Sequence, residues 1–175
     1  MQFLLQQGAD KEKASETGAT ALFVAAQNGH VEIVQYLVQQ GSDSDKVRVD
    51  GAIRLFVAAQ NGHVEIVQFL LQQGSDSDKV RVDGASPLFV AAHNGHLSVV
   101  QCLVQQGADK DKADVDSASH LFVAAHNGHL SVVQCLVQQG ADKNKAANDA
   151  WSRRRIAASQ DHVAVADYLR EQGAL

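Results

Sequence analysis

Apolar residues in this chain follow two short helical patterns and one alternating pattern, and the three recur in a fixed order. Between Thr20 and Gly29, Leu22, Phe23, Ala25 and Ala26 are grouped too closely for strand alternation and are followed by glycine, which predicts a short helix with its own stop signal. Thr20 is placed to cap the first backbone amides, and Gly29 to take the left-handed conformation that turns the chain. From Val31 to Gln40, Ile33, Val34, Leu37 and Val38 share one helical face, and Glu32 stands near the positive end of the helix dipole. Gly41 closes this second helix. Ser42 to Asp50 then changes to a two-residue rhythm that puts Val47 and Val49 on one side, predicting an extended hairpin that turns at Asp50-Gly51. The unit is therefore helix, turn, helix, hairpin.

This unit repeats. Gly8, Gly41, Gly74, Gly107, Gly140 and Gly173 are spaced by 33 residues, with recurring sequence around each. A unit so short cannot bury a hydrophobic face alone and must stack on its neighbours, giving an elongated all-α solenoid. Some copies are close to duplicates. Asn28 to Ala52 matches Asn61 to Ala85 except at Tyr36/Phe69 and Val38/Leu71, and Leu88 to Ala113 matches Leu121 to Ala146 except at Asp111/Asn144. Recent internal duplication and deliberate engineering of a binder both account for such likeness.

The 33-residue period, the element order, Ser86-Pro87-Leu88-Phe89, the repeated Gly-His and the Gly-Ala-Asp after the second helix resemble the ankyrin repeat over the whole chain. The resemblance implies one domain of stacked helix-turn-helix units with β-hairpin loops. A partial repeat is expected at 1–9, internal repeats at 10–42, 43–75, 76–108 and 109–141, and a C-terminal capping repeat at 142–175, where Arg153, Arg154 and Arg155 replace residues that would face a further repeat. The family's Thr-Pro-Leu-His opening is altered here: only Ser86-Pro87 keeps hydroxyl and proline together, and Phe23, Phe56, Phe89 and Phe122 replace a hydrogen-bonding histidine with apolar packing. Ile53 cannot cap and Arg54 lacks proline's preset backbone angle, which predicts a locally weak second repeat.

Composition narrows the function. The 175 residues carry a net charge of −5 with both signs interleaved, so no broad cationic field exists to neutralise phosphates, and nucleic acid is not an expected partner. No stretch approaches the roughly 20 apolar residues of a membrane span, and the N-terminus lacks the zones of a signal peptide, so a soluble cytoplasmic protein is expected. Cys102 and Cys135 occupy equivalent core positions one repeat apart, where stacked helices about 8 to 10 Å apart keep the thiols from bridging. The histidines at 30, 63, 96, 129 and 162 are read as braces between adjacent turns; His93 and His126 add a His-Asn-Gly-His pattern, but glycine interrupts the helix between the two imidazoles and no zinc-type quartet accompanies them. No nucleophile, base and orienting group are gathered together, so neither enzymatic activity nor a cofactor is expected.

The resemblance implies a protein-protein interaction scaffold whose partner lies in a concave groove of hairpin tips and first helices. On this chain that surface comprises Val49, Asp50, Ala52, Gln60, Val82, Asp83, Ala85, His93, Val115, Asp116, Ala118, His126 and Trp151. Trp151, the single tryptophan, has the area and polar edge of an interface anchor. A monomer is expected. The alternative is a structural spacer or an array that self-associates through the apolar Phe3-Leu4-Leu5 end. Asn144, with Leu136 eight residues earlier, stands where ankyrin repeats can carry a hydroxylated asparagine.

Overall fold

The computed structural model describes residues 10–42, 53–112, 118–142 and 162–173. Its helices run α1 Ala21–Gln27, α2 Val31–Gln39, α3 Arg54–Gln60, α4 Val64–Gln72, α5 Pro87–His93, α6 Leu97–Gln105, α7 His120–His126, α8 Leu130–Gln138 and α9 Val163–Glu171. The pairs α1/α2, α3/α4, α5/α6 and α7/α8 are antiparallel neighbours joined by tight turns, and successive pairs stack. First helices α1, α3, α5 and α7 form one layer, and second helices α2, α4, α6, α8 and α9 form the other.

Local sequence accounts for the helix boundaries. Thr20 accepts a hydrogen bond from the Phe23 amide, and Ser86 and Ser119 do the same for Phe89 and Phe122, so three of the four first helices among the described residues carry a hydroxyl cap. Ile53 makes no such bond. Each first helix stops at an Asn followed by glycine in the left-handed region, with φ of 76, 77, 74 and 76° at Gly29, Gly62, Gly95 and Gly128. The core is one continuous seam of small aliphatics, including Ala25, Ala26, Ala58, Ala59, Ala91, Ala92, Ala124 and Ala125, against Val34, Leu37, Leu70, Leu103 and Leu136. Small residues in the first helices let adjacent repeats approach closely. Cys102 and Cys135 are both free and buried in this seam.

The hairpin expectation needs correction. No strand is present among the described residues; the two long loops described throughout close as tight turns. In the third unit the Gly84 amide donates to the Arg81 carbonyl (2.9 Å) and the Arg81 amide donates to the Ala85 carbonyl (3.0 Å). The first unit repeats this closure with Gly18 to Ser15 and Ser15 to Ala19, both 2.9 Å. Two bonds close a loop tip but do not propagate a ladder, so the valine alternation has no partner strand to follow. The turn proposed at Asp50-Gly51 lies outside the described residues, while its equivalent at Asp83-Gly84 is a turn, with Gly84 at φ 77°.

Candidate functional site

The loop tip at residues 81 to 85 is held by its own chemistry. Arg81 donates from Nε to both carboxylate oxygens of Asp83 (3.0 and 3.1 Å) and from Nη2 to Oδ2, and Asp83 Oδ1 also accepts the Ala85 amide (3.2 Å). The Arg81 guanidinium lies 5.1 Å from the centroid of the Phe56 ring on α3, a cation-π contact that fastens the tip to the preceding repeat. The hydrogen bonds from Arg81, chiefly, hold the Asp83 carboxyl below its ordinary value against the opposing effect of partial burial. Between these two anchored residues, Val82 is 76% exposed. An apolar side chain is thus held out to solvent on a fixed mount.

Other surface expectations divide. Gln60 and His93 are exposed at the ends of α3 and α5, Gln60 one helical turn beyond Phe56. His126 is half-buried, its ring stacked on Phe122 with centroids 6.0 Å apart and planes at 4°, so it offers an edge and not a free imidazole. Asp83 and Ala118 are half-buried. Ala85 is corrected: at 7% exposure it belongs to the core, because its chain has already turned inward to reach the Ser86 cap. Val49, Asp50, Ala52, Val115, Asp116, Trp151 and Asn144 lie outside the described residues, as do Phe3-Leu4-Leu5 and Arg153 to Arg155.

The Gly-His histidines brace adjacent repeats, as read from sequence. Nε2 of His63, His96 and His129 donates to the main-chain carbonyls of Gln27, Gln60 and His93 at 3.0, 2.9 and 2.9 Å. Each acceptor lies in the last turn of the preceding first helix, where carbonyls lack helical partners. On the opposite side, the Asp109 and Asp142 amides donate to Oδ1 of Asp78 and Asp111 one repeat earlier, at 3.0 and 2.8 Å. Among the described residues no group of three or more His, Cys, Asp and Glu is arranged to hold a metal ion. Nor is any helix among them long and apolar enough to cross a membrane.

A second set of interrepeat contacts was not anticipated. Arg54, only 1% exposed at the first position of α3, donates from Nη2 to Thr20 Oγ1 at 3.3 Å. His120, also 1% exposed at the first position of α7, has Nε2 3.1 Å from Ser86 Oγ and Nδ1 2.8 Å from the Lys110 carbonyl. A carbonyl can only accept, so Nδ1 carries the proton, Nε2 accepts, and the Ser86 hydroxyl donates to it. Burial is the leading cause that pushes the His120 pKa below the ordinary imidazole value, while Lys110 and the charges of Asp109, Asp111 and Asp78 oppose the shift. The polar tether that phenylalanine displaces from the fourth position of the opening motif has moved to the second. The polar residues Arg54 and His120 standing where Ser86 is followed by proline are the sequence signal for it.

Paired helices stacked by side-chain bridges, with loop tips held on one edge, define a helical repeat scaffold. The chain belongs to the ankyrin-repeat family: a family model described as ankyrin repeats (3 copies) matches residues 1–81, 55–147 and 88–174. No curated protein matches the sequence. Ankyrin repeats generally mediate protein-protein interaction and are typically non-enzymatic modules.

Proposed function

We propose that this chain is a non-enzymatic scaffold that binds a partner protein along the face shared by its loop tips and first helices. The observation that carries the reading is Val82, exposed at the apex of a tip that Arg81, Asp83 and Phe56 immobilise. Folding ordinarily hides valine; fixing one in solvent removes the ordering loss that a flexible loop incurs when it docks. Exposed Gln60 and His93 add polar groups beside an apolar contact, the composition of a protein interface. The reading extends by repeat equivalence to Val49, Asp50, Val115 and Asp116, and takes Trp151 as an anchor for its area and polar edge, with Asp83, Ala118 and His126 as rim contacts. It places the protein in the cytoplasm as a monomer, with repeat boundaries as expected from the sequence.

Affinity capture from the native source on immobilised protein tests this. V82A/H93A/W151A is expected to lose the captured partner, with at least a tenfold weaker Kd by calorimetry and unchanged helicity. Q101A, on an exposed face of α6 in the other layer, is expected to bind as the parent does. Equal loss from both variants, or loss from Q101A alone, removes the assignment.

One observation favours the self-associating alternative. Val24 on α1 is 44% exposed, whereas Val57, Val90 and Val123 at the same repeat position are buried. Among the described residues Val24 is thus an apolar side chain left part-exposed at the position where later repeats bury theirs. Light scattering separates the readings: a monomer at micromolar concentration retains the binding scaffold, and a concentration-dependent dimer that V24K dissociates favours stacking of a second copy.

A further inference from the structure

Phe23, Phe56, Phe89 and Phe122 hold the same position in successive first helices, and three of the four rings are hidden from solvent. Phe23 and Phe56 are 2% and 3% exposed, and Arg81 from the following loop tip lies over the Phe56 ring. Phe122 is 8% exposed, with the imidazole of His126, one helical turn further on, stacked flat upon it. Phe89 has neither cover among the described residues. Its ring is only half-buried, and the residue 33 positions after Arg81 is Asp114, which has no guanidinium to lay on an aromatic face.

His93 follows Phe89 by one turn, as His126 follows Phe122, yet it does not stack. Its Nδ1 lies 3.1 Å from Asn94 Oδ1, and the Asn94 amide donates across the joint to the Gln60 carbonyl at 3.0 Å. Asn28, Asn61 and Asn127 donate within their own helices instead, to the Val24, Val57 and Val123 carbonyls at 2.8 Å. The asparagine that reaches the neighbouring repeat is the one that engages its histidine. His120 also meets the Phe89 ring, but at 63° between planes and 6.2 Å between centroids, so neither imidazole lies flat on it. Phe56 faces the loop tips, since Arg81 reaches it from one. Phe89, at the same repeat position, opens on that edge beside exposed His93.

We infer that the open face of Phe89 is a seat for an arginine side chain of the partner protein, which supplies from outside the guanidinium that Arg81 supplies to Phe56 from within. The inference rests on the reading that loop tips and first helices form the binding face, and it names what the partner carries there. The face of an aromatic ring is negative and attracts a cation, and a planar, weakly hydrated guanidinium lies flat on it where the compact ammonium of lysine does not. Arginine is the fitting occupant. Charge acts in the same direction, because the chain carries −5 overall and its sequence exchanges a cation for an anion between Arg81 and Asp114.

The probe is the chain's own tip as a free peptide with capped ends, residues 80–84, Val-Arg-Val-Asp-Gly, whose arginine covers a phenylalanine of this kind in the structure. It is titrated into the full chain carrying ring-labelled phenylalanine and followed by nuclear magnetic resonance. A saturable shift of the Phe89 ring signal, identified by its loss in F89L, is expected, with the ring current moving the peptide's arginine δ-protons upfield. F89L, with folding checked by circular dichroism, is expected to abolish that upfield movement. On the unaltered chain, the same peptide with citrulline, which keeps the shape and loses the charge, is expected to bind about fivefold more weakly. Equal binding of the two peptides overturns the inference, as does a Phe89 signal that the arginine peptide leaves unmoved, or binding to F89L that matches the parent. The binding-face reading fails separately. If V82A/H93A/W151A keeps its captured partner while the peptide still seats on Phe89, the seat stands and the face falls; if the triple variant loses the partner while Phe89 ignores the peptide, the face stands and the seat falls.

Discussion

Replacing Gly62 with alanine separates two demands that meet at one residue. Gly62 has φ 77°, in the left-handed region that a side chain disfavours by about 1 kcal/mol. Its position imposes a second demand. A Cβ built there would lie 2.8 Å from Nδ1 and 3.0 Å from Cε1 of His96, the imidazole that crosses from the next repeat to the Gln60 carbonyl. The ring must move away, and the bond is worth about 1 kcal/mol net. Gly74 supplies the control, because its φ is 89° but a Cβ there meets nothing within 4 Å. G74A is therefore expected to lose about 1 kcal/mol and G62A about 2 kcal/mol. The extra loss corresponds to a further drop in Tm of about 2 to 4 °C for a chain of this length.

The assay is urea unfolding followed by far-ultraviolet circular dichroism for G62A, G74A and H96A, with both glycine changes repeated in the H96A background. In that background the two glycine changes are expected to cost the same, since the ring that distinguished them is gone. Equal losses from G62A and G74A in the parent would refute the reasoning, showing that the histidine yields freely and that the bridge contributes nothing measurable. The same contrast extends to Gly29 and Gly95, where a Cβ would approach His63 and His129 to 2.7 and 2.6 Å, and to Gly128, where it would meet His162.

Two further outcomes follow from the buried titratable groups. His120 binds its second proton less readily folded than unfolded, so its contribution is complete above the ordinary imidazole pKa, is lost as pH falls through that value toward the depressed folded one, and levels off below it. Between pH 7.5 and 5.5 the parent is expected to lose more urea stability than H120P, and parallel profiles would refute this. Burial raises the thiol pKa of Cys102 and Cys135, so both are expected to react slowly with a disulfide reagent in the native protein and to titrate as two thiols once unfolded; a native bridge between them would overturn the stacking register.

The features legible in the sequence are those fixed within one repeat. Helix starts at Thr20, Ser86 and Ser119, stops at the left-handed glycines, and the buried faces of α2, α4, α6 and α8 depend on residues a few positions apart, and each repeats often enough to be read. The bracing role of the Gly-His histidines was legible through the family resemblance. Residues whose meaning depends on the neighbouring repeat were not. Ile53 and Arg54 read as defects because a cap without a hydroxyl and a helix start without proline are unfavourable locally. In the stacked array both are buried, and Arg54 finds its acceptor 34 residues earlier on Thr20. The missing cap is real, but the expected weakness of the second repeat considered only half of the joint.

The same limitation governed the candidate binding face. Alternation of valines along the loop suggested a strand, and the family resemblance put Ala85 with Val82 on a common surface, whereas the turn closed by Arg81 and Gly84 sends Val82 outward and Ala85 into the core. Nothing in the local sequence distinguishes these fates, because the decisive contact is between Arg81 and Phe56, on different repeats. Arg81 thereby links the two kinds of information in this chain: its carboxylate partner is two residues away and shapes the tip, and its aromatic partner is on the preceding first helix and aims it. A tip shaped locally but aimed by its neighbour holds its valine in place only while a repeat with an aromatic residue at the fourth position of its opening is stacked before it. Stacking is therefore a determinant of the surface, and not only of the core.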